Sequence, residues 1–178
     1  MANPAHQRSV VAMDLKKIAA QVSVATLVVL TVGGGYAAAD QRTTTRTEKV
    51  LTIDAAIKAA QATLDAAEKE NQRVTVAVVD RSGDLVVLLA GDGAGPQTEE
   101  SARRKAFTAV SFNAPTSELA GRVTGQGATL RDIPGTLFLG GGVPVAVDGT
   151  SVAGIGVGGA PSGDLDEKYA KAGLATLR

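Results

Sequence analysis

The sequence predicts an α/β sandwich, an α+β arrangement in which a mainly antiparallel sheet is flanked by helices. Three observations predict it. An alanine-rich stretch with apolar residues at helical spacing opens the folded part, two pairs of β-rich runs are each joined by turns too short for a parallel crossover, and helical patterns separate and follow those pairs. The order is helix, two strands, helices, two strands, helix.

Each element has its own reason. "LTIDAAIKAAQATLDAAEKEN" reads as a helix from about 53 to 70, with good helix formers, Thr52 as N-cap, and Ile53, Ile57, Ala60 and Leu64 on one face. "RVTVAVVDRSGDLVVLLAG" holds two β-rich runs separated by Asp80, Arg81, Ser82 and Gly83, a hairpin signal. "TEESARRKAFTAVSF" is a helix capped by Thr98, with Glu99 and Glu100 where the helix dipole favours acids. Asn113-Ala114-Pro115 ends it, and "TSELAGRVT" forms one short helix more. Residues 125–136 show no clear periodicity. "LFLGGGVPVAV" and "TSVAGIGVGGA" make a second hairpin turning at Asp148-Gly149, and "SGDLDEKYAKAGLATL" is a closing helix in which Asp164 and Glu167 have capping-box spacing. The glycines at 154, 156 and 158 alternate along a strand, which suits close approach of another element or subunit.

Residues 1–39 have the order of a secretory signal peptide. Arg8, Lys16 and Lys17 precede an uncharged apolar run from Ile18 to Val32, and Ala37-Ala38-Ala39 offers cleavage before Asp40. That run is short for a membrane span, so no stable membrane insertion is expected. Residues 40–49 read as a flexible, threonine-rich leader and 50–178 as the single domain. The expected product is secreted.

Cleavage removes both methionines and His6, the only histidine, from a chain that has no cysteine. The mature protein then has no Ser-His-Asp or Cys-His nucleophile system, no zinc site of the usual ligands and no haem ligand of the His, Met or thiolate kinds. Residues 40–178 carry 15 basic and 17 acidic side chains, which argues against nucleic acid as a partner.

Two places can carry chemistry. In the helix from Thr98, the residues Ser101, Lys105, Thr108 and Phe112 share one stripe, which suits either a packing face with a snorkelling lysine or the wall of a site for an apolar anion. A Ser-Lys nucleophile is a third use of Lys105. On the first helix Asp65 and Glu68, three apart and with Glu70 nearby, form either a solvated face or an oxygen-donor site for iron.

"AVVDRSGDLVVLLAGDGA", "SARRKAFTAVSFNAPTSEL", "DIPGTLFLGGGVPV" and "VAGIGVGGAPSGDLDEKYAKAGL", in that order, resemble the GlcG-like family, and within it the secreted haem-binding HbpS-like branch; the resemblance runs from Leu51 to Leu177. It implies a profilin-like fold, haem and iron as cofactors, and haem degradation as the activity. It also implies modulation of a sensor kinase, through its extracellular part, under redox or iron stress. A homo-oligomer larger than a dimer is expected, an octamer being one such size, since glycine-dense strands and an alanine-rich helix leave smooth surfaces.

On the resemblance, Thr98, Glu100 and Thr108 are the candidate oxygen donors to haem iron, Arg103, Arg104 and Lys105 the propionate partners, and Phe107 or Phe112 the apolar walls, with Tyr169 a further oxygen ligand. Asp65 and Glu68 are the iron pair. Asp148 departs from the family pattern, standing where a lysine is expected. The alternative is a GlcG-like small-molecule module without haem.

Overall fold

The computed structural model describes residues 46–124, 126 and 128–178. The expected signal peptide and the leader as far as residue 45 lie outside the described residues. In chain order the elements are α1 (Ile53–Glu68), β1 (Thr75–Asp80), β2 (Leu85–Ala90), α2 (Gln97–Phe112), α3 (Thr116–Ala120), β3 (Gly142–Val147), β4 (Thr150–Gly158) and α4 (Gly163–Ala175). The four strands form one sheet in the order β2-β1-β4-β3, every pair antiparallel. It is the α+β fold expected from the sequence.

Alternation along β1 divides the core. Val76 and Val78 pack with Ile155, Val157, Ala56, Ala60 and Tyr169 in the larger cluster, under α1 and α4. Ala77 and Val79 point the other way, to Ala102, Ala106 and Val110 of α2. The sheet is therefore covered on both faces, which explains why β1 and β4 are almost wholly buried and read as apolar runs. A third cluster of Leu119, Val123 and Phe138 lies beneath the loop region, with the Phe112 ring 5.7 Å from that of Phe138.

The approach of α2 to the sheet depends on β4's glycines. A Cβ on Gly156 would lie 2.0 Å from the Ala102 carbonyl oxygen, and one on Gly154 would lie 2.3 Å from that of Ala106. Backbone rests on backbone there, and the close approach is made within the chain. The second hairpin turns at Asp148 (φ 51°) and Gly149 (φ 76°), both left-handed as a tight two-residue turn requires.

Three local expectations are corrected. Thr52 does cap α1, its hydroxyl accepting from the Ala55 amide, but Thr98 is not the cap of α2. That helix begins at Gln97, and the Thr98 hydroxyl instead donates to the Gly95 carbonyl. In α4 the cap is Ser162, which accepts from the Leu165 amide, so Asp164 and Glu167 do not form a capping box. The buried face of α1 is Ala56, Ala59, Ala60, Thr63, Leu64 and Ala67, leaving Ile53 and Ile57 about half exposed. Alanine admits closer packing than isoleucine, and Gly173 of α4 sits against Ala59 and Thr63.

Candidate functional site

The structure divides the haem candidates of α2 into an inward group and an outward group. Thr98, Lys105 and Thr108 point inward and are buried. Glu100, Arg103 and Arg104 remain outside, with Pro96 and Glu99, around an open hollow of about 440 Å³. Residues three and four apart share a face, but which face meets the sheet is decided by the glycine row of β4, against which Ala102 and Ala106 must lie.

The inward groups already have partners. The Thr98 hydroxyl meets that of Thr75 at 2.7 Å, and the Thr108 hydroxyl donates to the Arg104 carbonyl while accepting from the Leu137 amide. Lys105 passes behind β4, where its ammonium donates to Asp166 Oδ2 at 2.7 Å and to the Val157 carbonyl at 3.0 Å. The second oxygen of Asp166 accepts from the Ala160 amide. Burial pushes the Asp166 carboxyl above its usual range, opposed by the hydrogen bond and charge of Lys105. A ligand on the outside of α2 therefore reaches Glu100, Arg103 and Arg104, but not Thr98, Lys105 or Thr108. A Ser-Lys nucleophile is also excluded by this geometry, because the lysine is committed to a carboxylate.

The outer face is lightly tied. Arg103–Glu99 and Arg104–Glu100 are i,i+4 pairs at 3.8 Å between exposed side chains, an arrangement worth about 0.3–0.5 kcal/mol. Arg104 also donates through Nη2 to the Thr136 carbonyl at 2.7 Å, while its Nε is buried without a hydrogen-bond partner. Phe107, half-buried on the same helix, packs against Gly135 and against the turn glycine Gly83. Phe112 is instead engaged with Phe138.

Asp65 and Glu68 are both exposed on α1, and Asp65 accepts from the Gln61 amide at 2.7 Å. Glu70 does not join them. It accepts from Lys168 and from the Tyr169 hydroxyl, whose hydrogen bonds lower its carboxyl from the ordinary range. Tyr169 is correspondingly pushed up to about 12 by burial and by Glu70, and its hydroxyl is already in use. Among the described residues no group of three or more His, Cys, Asp or Glu side chains is placed to hold a metal. At the hairpin tip Asp148 pairs with Lys49, which lowers the Asp148 carboxyl through a hydrogen bond and charge.

Asp166 was not legible as a partner of Lys105. In the sequence it is one of three acids at the start of a helix, 61 residues away, and only the packing of α2 and α4 against the same strand, β4, from opposite faces of the sheet lets the two side chains meet near its end. Glu167, next to it, is buried too and accepts from the Ser117 amide and from Lys171.

A family model described as "Haem degrading protein HbpS-like" matches residues 51–175. Among solved structures, one described as HbpS is 59% identical, with a TM-score of 0.73, and the match covers 84% of this chain and 99% of that one. A double-mutant HbpS from Streptomyces reticuli gives 59% identity and 0.73 over 83% of this chain and 99% of that one. A PduOC–haem complex is similar at 26% identity and 0.66, over 71% of this chain and 94% of that one. No curated protein matches the chain. A match over most of the folded region, joined to a shared sheet and helix arrangement, shows that this chain belongs to the HbpS-like haem-degrading family.

Proposed function

We propose that the protein binds haem on the outer face of α2, with Arg103 and Arg104 as partners for the propionates and Glu100 as the oxygen donor nearest to them. One observation carries the reading. Arg103 and Arg104 share one open hollow with the Glu100 carboxylate, tied there only by loose ion pairs, and Arg104 is anchored at Nη2 by the Thr136 carbonyl. Support also comes from the family's description as haem-degrading and from the haem held by the PduOC relative.

The residues fit haem of a particular kind. A carboxylate oxygen is the available iron donor here, and two guanidiniums on successive positions suit paired carboxylates. Bound haem would supply redox-active iron. The chain's own part is to hold the propionates through Arg103 and Arg104, to present Glu100, and to fix the helix that carries all three.

Hemin added to the purified full chain should give a shifted Soret band that saturates with protein. Replacing Arg103 and Arg104 together by alanine should weaken hemin at least tenfold without moving the band, because each charge-assisted contact is worth about 1.5–3 kcal/mol. Glu100→Ala should move the band itself. Parental affinity and spectrum in both variants, or only the broad band of free hemin with the parent, would remove the proposal and leave a GlcG-like module without haem.

For iron the reading rests on Asp65 and Glu68, exposed together on α1. The Streptomyces reticuli variant carries two Glu-to-Asp changes at the same three-residue spacing. Asp65→Ala with Glu68→Ala should reduce ferric binding, measured by equilibrium dialysis, and leave hemin titrations unchanged; undiminished iron uptake returns the pair to a solvated helix face.

Export, assembly and a sensor-kinase partner complete the proposal. Export rests on the leading segment and predicts a product that begins at Asp40, read by intact mass. Assembly beyond a dimer is supported by large aliphatics left exposed at Ile53, Ile57, Ile133 and Leu139, and light scattering that finds a monomer would end it. For the kinase partner, a pull-down with its extracellular part that captures nothing would remove that clause.

A further inference from the structure

A second hollow among the described residues has no place in the haem reading. It measures about 480 Å³ and lies at the β3 edge of the sheet, between the start of α1 and the chain after α4. That volume falls within the roughly 300–1,000 Å³ range of small-molecule sites. Its wall is aliphatic: Leu51, Leu174 and Leu177 line it and rest on the main core, and Val145 and Val152 of that core complete it.

The charge around this wall has one sign among its side chains. Lys49, Lys58 and Arg178 line the hollow, and no Asp or Glu does. Lys58 has no ion-pair partner among the described residues. Lys49 is paired with Asp148, but that pair is exposed, its side chains 64% and 80% accessible, and such pairs exchange partners at little cost. The ligand that matches an aliphatic wall with ammonium groups at its rim is an apolar chain ending in a carboxylate.

We propose that this groove binds an acyl-chain carboxylate, the chain lying on Leu51, Leu174 and Leu177 and the carboxylate held by Lys58 with Lys49. The site is separate from the outer face of α2, so neither proposal needs the other.

Decanoate titrated calorimetrically into the full chain should bind saturably, one per chain, and decanol, which keeps the tail without the charge, should bind at least tenfold more weakly. Lys49→Glu with Lys58→Glu should weaken decanoate at least tenfold. Ala55→Phe, which places a ring in the groove from a half-buried position, should abolish decanoate binding while hemin binding and light-scattering mass stay parental. The proposal is overturned if decanoate does not saturate, if hemin displaces it one for one, or if the charge-reversed chain binds it as tightly as the parent. It is equally overturned if Ala55→Phe breaks an assembly that had excluded decanoate, because the groove then holds a second copy of the chain.

Discussion

Lys105→Ala is expected to destabilise the protein by about 3–5 kcal/mol, because it strands the Asp166 carboxylate in a place from which water is excluded. Both side chains of the pair are only 4% exposed, and the same ammonium also satisfies the Val157 carbonyl. The loss would appear in chemical denaturation at neutral pH as a lower midpoint with an unchanged slope. Its pH dependence identifies the cause. The Asp166 carboxyl is already raised by burial in the intact protein, and removing the opposing lysine raises it further.

A carboxyl whose folded pKa lies above its unfolded value favours the fold when protonated, and that contribution fades as pH rises through the interval between the two values. The deficit of Lys105→Ala should therefore shrink as pH falls from 7 through the carboxylate range. Replacing the pair together, Lys105→Met with Asp166→Val, should cost less than the single change, since no charge is then left buried without its partner. A deficit that is constant with pH, or a double variant as unstable as the single one, would show that Lys105 acts through its packing alone.

Gly156→Ala should cost at least about 3 kcal/mol, the upper part of the range for overfilling a packed interior. The added carbon would lie 2.0 Å from the Ala102 carbonyl oxygen and 2.5 Å from the Ala106 amide nitrogen. Both are backbone atoms, so no side-chain rotation relieves the overlap and α2 must lift from β4. Lifting it separates Ala102, Ala106 and Val110 from Ala77 and Val79, and also displaces the outer face that carries Glu100, Arg103 and Arg104. Hemin affinity is expected to fall along with the thermal midpoint. Gly121→Ala is the control, since a Cβ there meets nothing within 4 Å. Equal midpoints for the two variants would show that β4 does not need its glycines for this contact.

The extent to which the site was legible follows from how far apart its parts lie in the chain. Glu99, Glu100, Arg103 and Arg104 fall within one and a half helical turns, so their common neighbourhood needs only the helix period. What the period cannot supply is the direction in which that face points. Lys105 is one residue from Arg104, yet the two meet different surroundings: one is buried on Asp166, the other tied to Thr136 nearer the surface. The Asp65–Glu68 spacing was likewise readable, whereas the removal of Glu70 from that group was not, because Lys168 and Tyr169 approach from α4, 98 and 99 residues away.

By itself the sequence determined the order of the elements, the antiparallel hairpins and the family. Each rests on local causes: helix formers with a cap at Thr52, a left-handed turn at Asp148-Gly149, and short connections that allow no parallel crossover. Only the tertiary structure decided which side of each helix is covered. On α1 it chose alanines over Ile53 and Ile57, and on α2 it turned Thr98, Lys105 and Thr108 inward, leaving Glu100, Arg103 and Arg104 outside. The reason is steric: a helix settles with its smallest side chains against the glycine row of a strand, and the glycines of β4 meet Ala102 and Ala106 only after the chain between them has folded back.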